Sequence, residues 1–236
     1  MKLAKKIALV TLLIACVAML GMANGQPAQA AAKKYKLQIQ TAVPNASIYF
    51  QLIQRMAKRI DDMSAGRLKV EVLPAGAIVP VFEILDAVDK GIVNGGFAWT
   101  HYWSGKHPAG LLFSAPTAGL GFGLDQIGTM SWLYDGGGNE LYQEYWTKIL
   151  GYNIRGFLCM PMGPEPFGWF KKPFKNLEEL KKMKFRSPPG IPSESFKALG
   201  IPAVSMPGGE IVPSAQRGVI DAAEWISPAD DKNLGL

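Results

Sequence analysis

One stretch of this chain is written twice. Glu83-Ile84-Leu85 through Lys90-Gly91-Ile92-Val93-Asn94 returns as Glu210-Ile211-Val212 through Arg217-Gly218-Val219-Ile220-Asp221, at a constant offset of 127 residues. Glu, Ile and Gly repeat as identities, and Lys/Arg, Ile/Val and Asn/Asp exchange in kind. Each copy reads as a helix stopped by Gly and followed by a strand. An interval this long is far outside solenoid periods and predicts two similar α/β lobes. The plainer alternative is that any helix closed by Gly ahead of a strand looks like this.

The surroundings of each copy extend the pattern. Tyr35 to Val43 alternates polar and apolar residues as a strand does, and Ile48, Leu52, Ile53, Met56 and Ile60 recur at helical spacing up to a stop at Gly66. Leu68, Val70 and Val72 give a second strand, residues 74–80 a loop, Val81 to Lys90 a helix, and Ile92 to Trp99 a third strand. Later, Asn176 and Glu179 form a capping-box variant, followed by a strand over Met183 to Arg186. A helix from about Ser193 to Gly200 and a strand over Ala203 to Met206 come next. Strands alternating with helices predict mostly parallel sheets, whose ligands bind at the carboxyl ends of the strands. With 236 residues, 48% of them hydrophobic, the chain can bury such cores without disulfides.

The N-terminus reads as an export signal. Lys2, Lys5 and Lys6 precede an apolar run from Ile7 to about Ala23, and Ala28-Gln29-Ala30 supplies small residues for cleavage after Ala30. An uncleaved anchor is one alternative. A lipoprotein box at Leu13-Ile14-Ala15-Cys16 is another, although apolar residues continue past it. Cleavage lowers Lys+Arg from 25 to 22 against 19 Asp+Glu, a net charge of about +3 that gives no basis for nucleic-acid binding. It also leaves Cys159 as the one cysteine, expected to be a small core residue.

Little supports catalysis. The chain holds two histidines, His101 and His107, with no Gly-x-Ser-x-Gly turn, no Walker loop and no cysteine pair for zinc. His107 precedes Pro108 and suits a surface or packing role. Lys171 to Arg186 is rich in lysine but broken by Glu178 and Glu179, as a solvated face is. The aromatics between residues 100 and 170 are mostly expected in the core, with some left to wall a cleft. Three residues fall where strands should end: Arg186 before Ser187-Pro188-Pro189-Gly190, and Glu224 and Trp225 after the second copy of the repeat. An Arg so placed suits bidentate capture of a carboxylate. A surface salt bridge and a core aromatic remain open as alternatives.

These residues lie in a set of segments that resembles the solute-binding subunits of tripartite ATP-independent periplasmic (TRAP) transporters, within them the branch that binds 2-oxo and 2-hydroxy carboxylates. The set comprises Leu73-Pro74-Ala75-Gly76, Tyr102-Trp103-Ser104-Gly105-Lys106-His107-Pro108-Ala109, Trp132-Leu133-Tyr134 with Gly136-Gly137-Gly138, and Gly168-Trp169-Phe170. It continues with Lys184-Phe185-Arg186, Pro207-Gly208-Gly209-Glu210 and Asp221-Ala222-Ala223-Glu224-Trp225. The resemblance implies a bilobal α/β periplasmic binding protein fold, two similar lobes around a cleft, with a signal at 1–30, a first lobe at 31–150 and a partial second lobe at 151–236. It also implies that Arg186 pairs with the solute carboxylate, that Tyr102 supplies a first-lobe contact, and that Glu224 and Trp225 hold a bridging cation, Ca²⁺ or Na⁺. Where the branch has Asn-Thr-Gly-x-Gln, this chain has Pro161-Met162-Gly163-Pro164-Glu165, which places a carboxylate, Glu165, where a neutral cation ligand is usual. The chain also ends at Leu236, short of the helices that complete the second lobe in the family, and so reads as C-terminally truncated.

The expected function is therefore capture of a small organic acid in the periplasm and its delivery to the TRAP membrane permease subunits, without turnover. The competing readings are a secreted hydrolase or lyase using Glu165 and Glu224 as an acid/base pair, and an exported fragment with no activity.

Overall fold

A computed structural model of the protein describes residues 33–114, 124–159, 162 and 165–236. The export signal, and Pro161, Gly163 and Pro164 of the departing motif, lie outside the described residues. Among those described, no helix is long and apolar enough to cross a membrane.

Two sheets carry the fold. The first is built from β1 (Tyr35–Thr41), β2 (Leu68–Leu73) and β3 (Gly95–Phe97) in the order β2-β1-β3, with β1 and β3 parallel. Helix α1 (Ile48–Met63) joins β1 to β2, and a 3₁₀ turn at Val81–Glu83 running into α2 (Ile84–Asp89) joins β2 to β3. Helix α1 starts where Ser47 accepts a hydrogen bond from the Tyr49 amide, and it buries Phe50, Ile53 and Ala57, one stripe of its surface. Helices α3 (Gln126–Asp135) and α4 (Gly138–Glu144) follow.

The second sheet contains β4 (Trp169–Phe170), β5 (Phe185–Arg186), β6 (Ala203–Val204) and β7 (Ala222–Ala223) in the order β4-β7-β5-β6. Strand β5 runs parallel to β6 and β7, and β4 antiparallel to β7. The short α5 (Leu177–Leu180) precedes β5, α6 (Ile191–Ala198) joins β5 to β6, α7 (Gly208–Gln216) joins β6 to β7, and α8 (Pro228–Leu234) follows β7.

The duplication read from the sequence is present in three dimensions. Both sheets run strand, helix, strand, helix, strand in the same spatial order, and the 127-residue offset carries Gly95 and Gly96 of β3 onto Ala222 and Ala223 of β7. The helix anchors Ile84 and Ile211 are both fully buried, as are Val93 and Ile220 at the strand entries. Gly91 and Gly218 both take left-handed backbone, φ 69° and 74°, which a stop of this kind requires.

Several expected elements are shorter than their apolar runs. The strand expected over Ile92 to Trp99 is Gly95–Phe97, because the Ile92 amide turns back to the Ala87 carbonyl (2.8 Å) to close α2. The strands expected at Met183 to Arg186 and Ala203 to Met206 keep two residues each, and the helix expected from Ser193 begins at Ile191 with Pro192 in its first turn. Cys159 is exposed, not in the core. The buried residue of its segment is Gly156, packed on the rings of Trp146 and Tyr142, and a Cβ there would lie 2.2 Å from Trp146 Nε1.

Residues Lys36–Leu236 form one compact unit. Within it, one core cluster centres on Ile84, Tyr102, Trp103, Tyr145 and Trp146, and another on Leu180, Phe185 and Phe196. A third joins the two sheets through Val43, Phe50, Ile211, Ile220, Ala223, Trp225 and Ile226. At the β3 copy of the repeat the packing admits only Gly: a Cβ on Gly96 would lie 2.4 Å from Ile84 Cγ2, whereas the equivalent position is already Ala223. Gly96→Ala is therefore expected to lower stability by about 1–3 kcal/mol through overpacking. The measurement is the urea midpoint, which should fall with the slope of the transition unchanged.

Candidate functional site

In each sheet the first connection runs from the central strand to one neighbour and the second crosses back to the other side, so a crevice opens at the carboxyl ends between β1 and β3 and between β5 and β7. The two crevices are filled differently. Gln40 pairs with Gly96 across β1 and β3, and Arg186 pairs with Ala223 across β5 and β7, so the offset that relates Gly96 to Ala223 makes Gln40 the counterpart of Arg186. Gln40 is buried and committed to its own loop: Nε2 donates to the Val79 carbonyl (2.7 Å), and Oε1 accepts from the Ile78 and Val79 amides (2.9 and 3.0 Å). The second crevice holds charge instead.

Arg186 closes β5 and is 1% exposed. Its Nη1 donates to the Glu224 carbonyl oxygen (2.6 Å) and to Glu224 Oε1 (3.0 Å), while Nε and Nη2 both donate to the Met206 carbonyl (3.1 and 3.0 Å). The indole of Trp225 lies 5.3 Å from the guanidinium carbon, and Tyr102 lines the same cavity. The structure places this Arg at the strand tip expected from the sequence, and there it neutralises Glu224, which is fully buried.

Glu165 faces this pair. Burial, and then the charge of Glu224, push its carboxyl well above the ordinary range. Glu224 is also raised by burial, against the opposing pull of Arg186. Because Arg186 bonds Glu224 and favours its charged form, a proton taken up by this pair is favoured on Glu165. Glu165 Oε2 and Glu224 Oε2 are otherwise buried without a partner. Two hard oxygens with no donor make a half-shell that suits a cation as well as a proton. No cluster of three or more acidic, His or Cys side chains exists among the described residues, so a cation here would need further oxygens from main-chain carbonyls or from a solute.

All five residues singled out in the sequence thus converge. Tyr102, Glu165, Arg186 and Trp225 line one cavity with Trp99, His101, Met162, Pro188 and Ile226, and Glu224 reaches it through Arg186 and Glu165. The lining leaves about 10 Å³ free, the room of a single water. Trp225 is fixed from several sides: Trp99 meets it edge-on at 6.0 Å, and α7 approaches so closely that a Cβ on Gly208 would lie 2.3 Å from the ring. Trp99 and Ile226 are lining residues that the motif reading missed, and they are related by the same 127-residue offset; following the repeat five residues past Asn94 and Asp221 finds both.

His101 was also missed as a lining residue. It is buried, its Nδ1 lies 2.8 Å from Ser114 Oγ, and burial together with the charge of Arg186 holds its imidazole down to about 3. It is a neutral wall of the cavity. His107 is exposed and, as expected, plays a local part, its Nδ1 accepting from the Ala109 amide (3.2 Å).

The crevice at the strand ends is thus walled by aromatics and holds an Arg beside paired carboxyls. Residues 39–235 match the DctP family, bacterial extracellular solute-binding protein family 7, and the chain belongs to it. A monocarboxylate 2-oxoacid-binding periplasmic protein of Nostoc sp. is 35% identical over 226 residues, 96% of this chain and 59% of the relative's length. Among solved structures, a TRAP periplasmic solute-binding protein from Colwellia psychrerythraea with bound calcium and pyruvate aligns with TM-score 0.74 at 31% identity. One from Pseudoalteromonas atlantica with bound sodium and pyruvate aligns at 0.72, also at 31% identity. Each alignment covers 86% of this chain and 60% of the other. The fold is that of the bilobal TRAP solute-binding proteins, and the chain spans about 59% of the length of the curated relative that it matches.

Two predictions follow from the charges. Arg186→Ala leaves Glu224 buried beside Glu165 without a counter-charge and is expected to cost about 3–5 kcal/mol of stability. Adding Glu224→Gln should recover part of that loss, as measured by urea unfolding of the single and double variants. The second concerns acid. His101 stays neutral when folded but protonates near pH 6.5 when unfolded, so below that pH it removes up to about 1.4 kcal/mol of stability per pH unit. Glu165, with its carboxyl raised in the fold, acts oppositely, favouring the folded state as pH falls toward the ordinary carboxyl range. His101→Gln should therefore lose less stability between pH 7 and 5 than the wild type, and the difference between the two unfolding series isolates the imidazole.

Proposed function

We propose that this protein is a periplasmic receptor of a TRAP transporter, which captures a small 2-oxo or 2-hydroxy carboxylate together with a cation and presents it to the membrane permease subunits without chemical change. The observation that carries this reading is the partnerless pair of buried carboxylate oxygens beside Arg186 and Trp225, a site with one guanidinium for an anion and two hard oxygens for a cation. The relatives' names point the same way, to a 2-oxoacid and to pyruvate bound with calcium or sodium. Residues 1–30 act as the export signal in this reading, and 31–150 and 151–236 as the two lobes.

The roles divide by chemistry. Arg186 neutralises the solute carboxylate, which must compete with the Met206 and Glu224 oxygens for its donors, so the net gain is smaller than for a free guanidinium. Tyr102 offers a hydroxyl from the first lobe, held in its neutral form by burial. Glu224 and Glu165 hold the cation, with Trp225 beside them, and a cation in the Glu165–Glu224 gap takes the place of the shared proton. Because the protein supplies only two carboxylates, the solute's own oxygens complete the shell, and solute and cation bind as a unit. For a solute of six heavy atoms, a ceiling of about 1.5 kcal/mol per atom corresponds to a sub-micromolar dissociation constant.

The hydrolase or lyase reading gains nothing. The raised Glu165 carboxyl follows from desolvation and from the charge of Glu224, and the His101 imidazole lies too low to serve as a base at neutral pH.

Calorimetric titration with pyruvate and lactate tests the proposal. Binding is expected to require a cation, with Ca²⁺ preferred because two carboxylates favour a divalent ion. Full affinity in chelated, Na⁺-free buffer would overturn the shared-ion site. Glu165→Gln keeps an oxygen and removes a charge, and should weaken the Ca²⁺-dependent binding by about tenfold or more while leaving Na⁺ able to support it.

A further inference from the structure

Asp230 lies on α8, just after the Glu224-Trp225 pair, and is 1% exposed. Its own helix does not need it. Ser227 caps α8 by accepting from the Asp230 amide (3.3 Å), and the neighbouring Asp231 accepts from the Ile226 and Ser227 amides (2.9 and 3.2 Å). The Asp230 side chain turns instead to a different helix. Its Oδ1 accepts from the Ile48 amide (2.6 Å) and its Oδ2 from Ser47 Oγ (2.9 Å), at the N-terminus of the sixteen-residue α1. The same Oδ2 accepts from Trp225 Nε1 (3.2 Å).

This carboxylate therefore joins parts separated by more than 180 residues in sequence. On one side, Ser47 Oγ accepts from the Tyr49 amide and donates a hydrogen bond to Asp230, and the Tyr49 ring lies beside Trp99 at 6.2 Å. On the other, the indole bonded to Asp230 packs on Arg186 and meets Trp99 at its edge. A buried carboxylate satisfied by three donors at a helix N-terminus is held firmly, since the helix dipole and the charge favour each other. Asp230 does not line the cavity.

We propose that Asp230 is a positioning residue of the solute site: it holds the Trp225 indole against Arg186 and ties it to the start of α1, so that solute affinity depends on a carboxylate outside the cavity. The proposal rests on the receptor reading above, and it predicts coupling between first-lobe helix α1 and the charged crevice of the second sheet.

The test uses the full chain and reads two quantities. The first, needing no solute, is the indole N–H resonance of Trp225 among the six tryptophans, assigned by its loss in Trp225→Phe. The second is calorimetric affinity for pyruvate in the presence of Ca²⁺. Asp230→Asn should shift the Trp225 resonance, speed its exchange with solvent, and weaken pyruvate about 10–100-fold, because an amide nitrogen replaces one of the two accepting oxygens. Ser47→Ala, which touches neither the cavity nor Trp225, should move the same resonance in the same direction with a loss of about 3–10-fold. A purely structural role would lower the melting temperature of both variants while leaving the resonance and the affinity of the folded protein unchanged, and that result overturns the proposal. So does a folded Asp230→Asn protein that binds within about twofold of wild type. If Asp230→Asn does not fold, Ser47→Ala decides by the same criteria. A wild type that binds neither pyruvate nor lactate refutes the receptor reading, whereas the Trp225 resonance still decides the positioning.

Discussion

The buried ion pair of Arg186 and Glu224 is the interaction on which the rest of the second sheet depends. A guanidinium and a carboxylate removed from water are each costly, and they persist here because the geometry repays them with the Glu224 and Met206 carbonyls and the face of Trp225. The pair lies at the carboxyl ends of β5 and β7, and it fixes where those strands stop: Arg186 is the last residue of one and Glu224 follows the last residue of the other. Around it the core is apolar, with Phe185, Ile211 and Ile220 fully buried. Charge in such surroundings calls for assigned donors and acceptors, and the oxygens left over at this site are one each of Glu165 and Glu224.

That leftover capacity connects fold to function. Two carboxyls facing each other in a poorly solvated site can hold a proton or a cation, and either choice changes the field at Arg186. The related calcium- and sodium-bound TRAP proteins, aligned at nearly equal TM-scores, show the fold compatible with ions of either charge. In the receptor proposed above, Glu165 would add a negative charge beside Glu224 once a cation displaced its proton, and that would favour the divalent ion.

Much of this was legible in the sequence because it follows from short-range chemistry. The repeated Glu-Ile through Lys/Arg-Gly unit gave both helices, both left-handed stops and, at its downstream edge, both strand ends; Arg186, Glu224 and Trp225 stood out as charge and bulk beside small or apolar neighbours. Strand lengths were less legible, since apolar runs such as Ile92-Val93 serve a helix stop as readily as a ladder. The local pattern around Cys159 gave no warning of its exposure, which is decided by Gly156 packing under Trp146. The part played by Asp230 was beyond reach: its partners Ser47 and Ile48 are more than 180 residues away, and only tertiary structure brings a helix start to an aspartate.

The contrast between Gln40 and Arg186 has a consequence for how such a protein works. Equivalent positions of the two sheets hold an amide whose bonds are spent on residues 78 and 79 in the first and a cation in the second. A neutral, self-satisfied group cannot respond to the charge of an arriving anion, whereas the guanidinium must rearrange its contacts to accept one. In the receptor proposed above, response to charge would thus be one-sided: an arriving anion would meet its counter-charge in the second sheet, while the first would contribute shape and the Tyr102 hydroxyl.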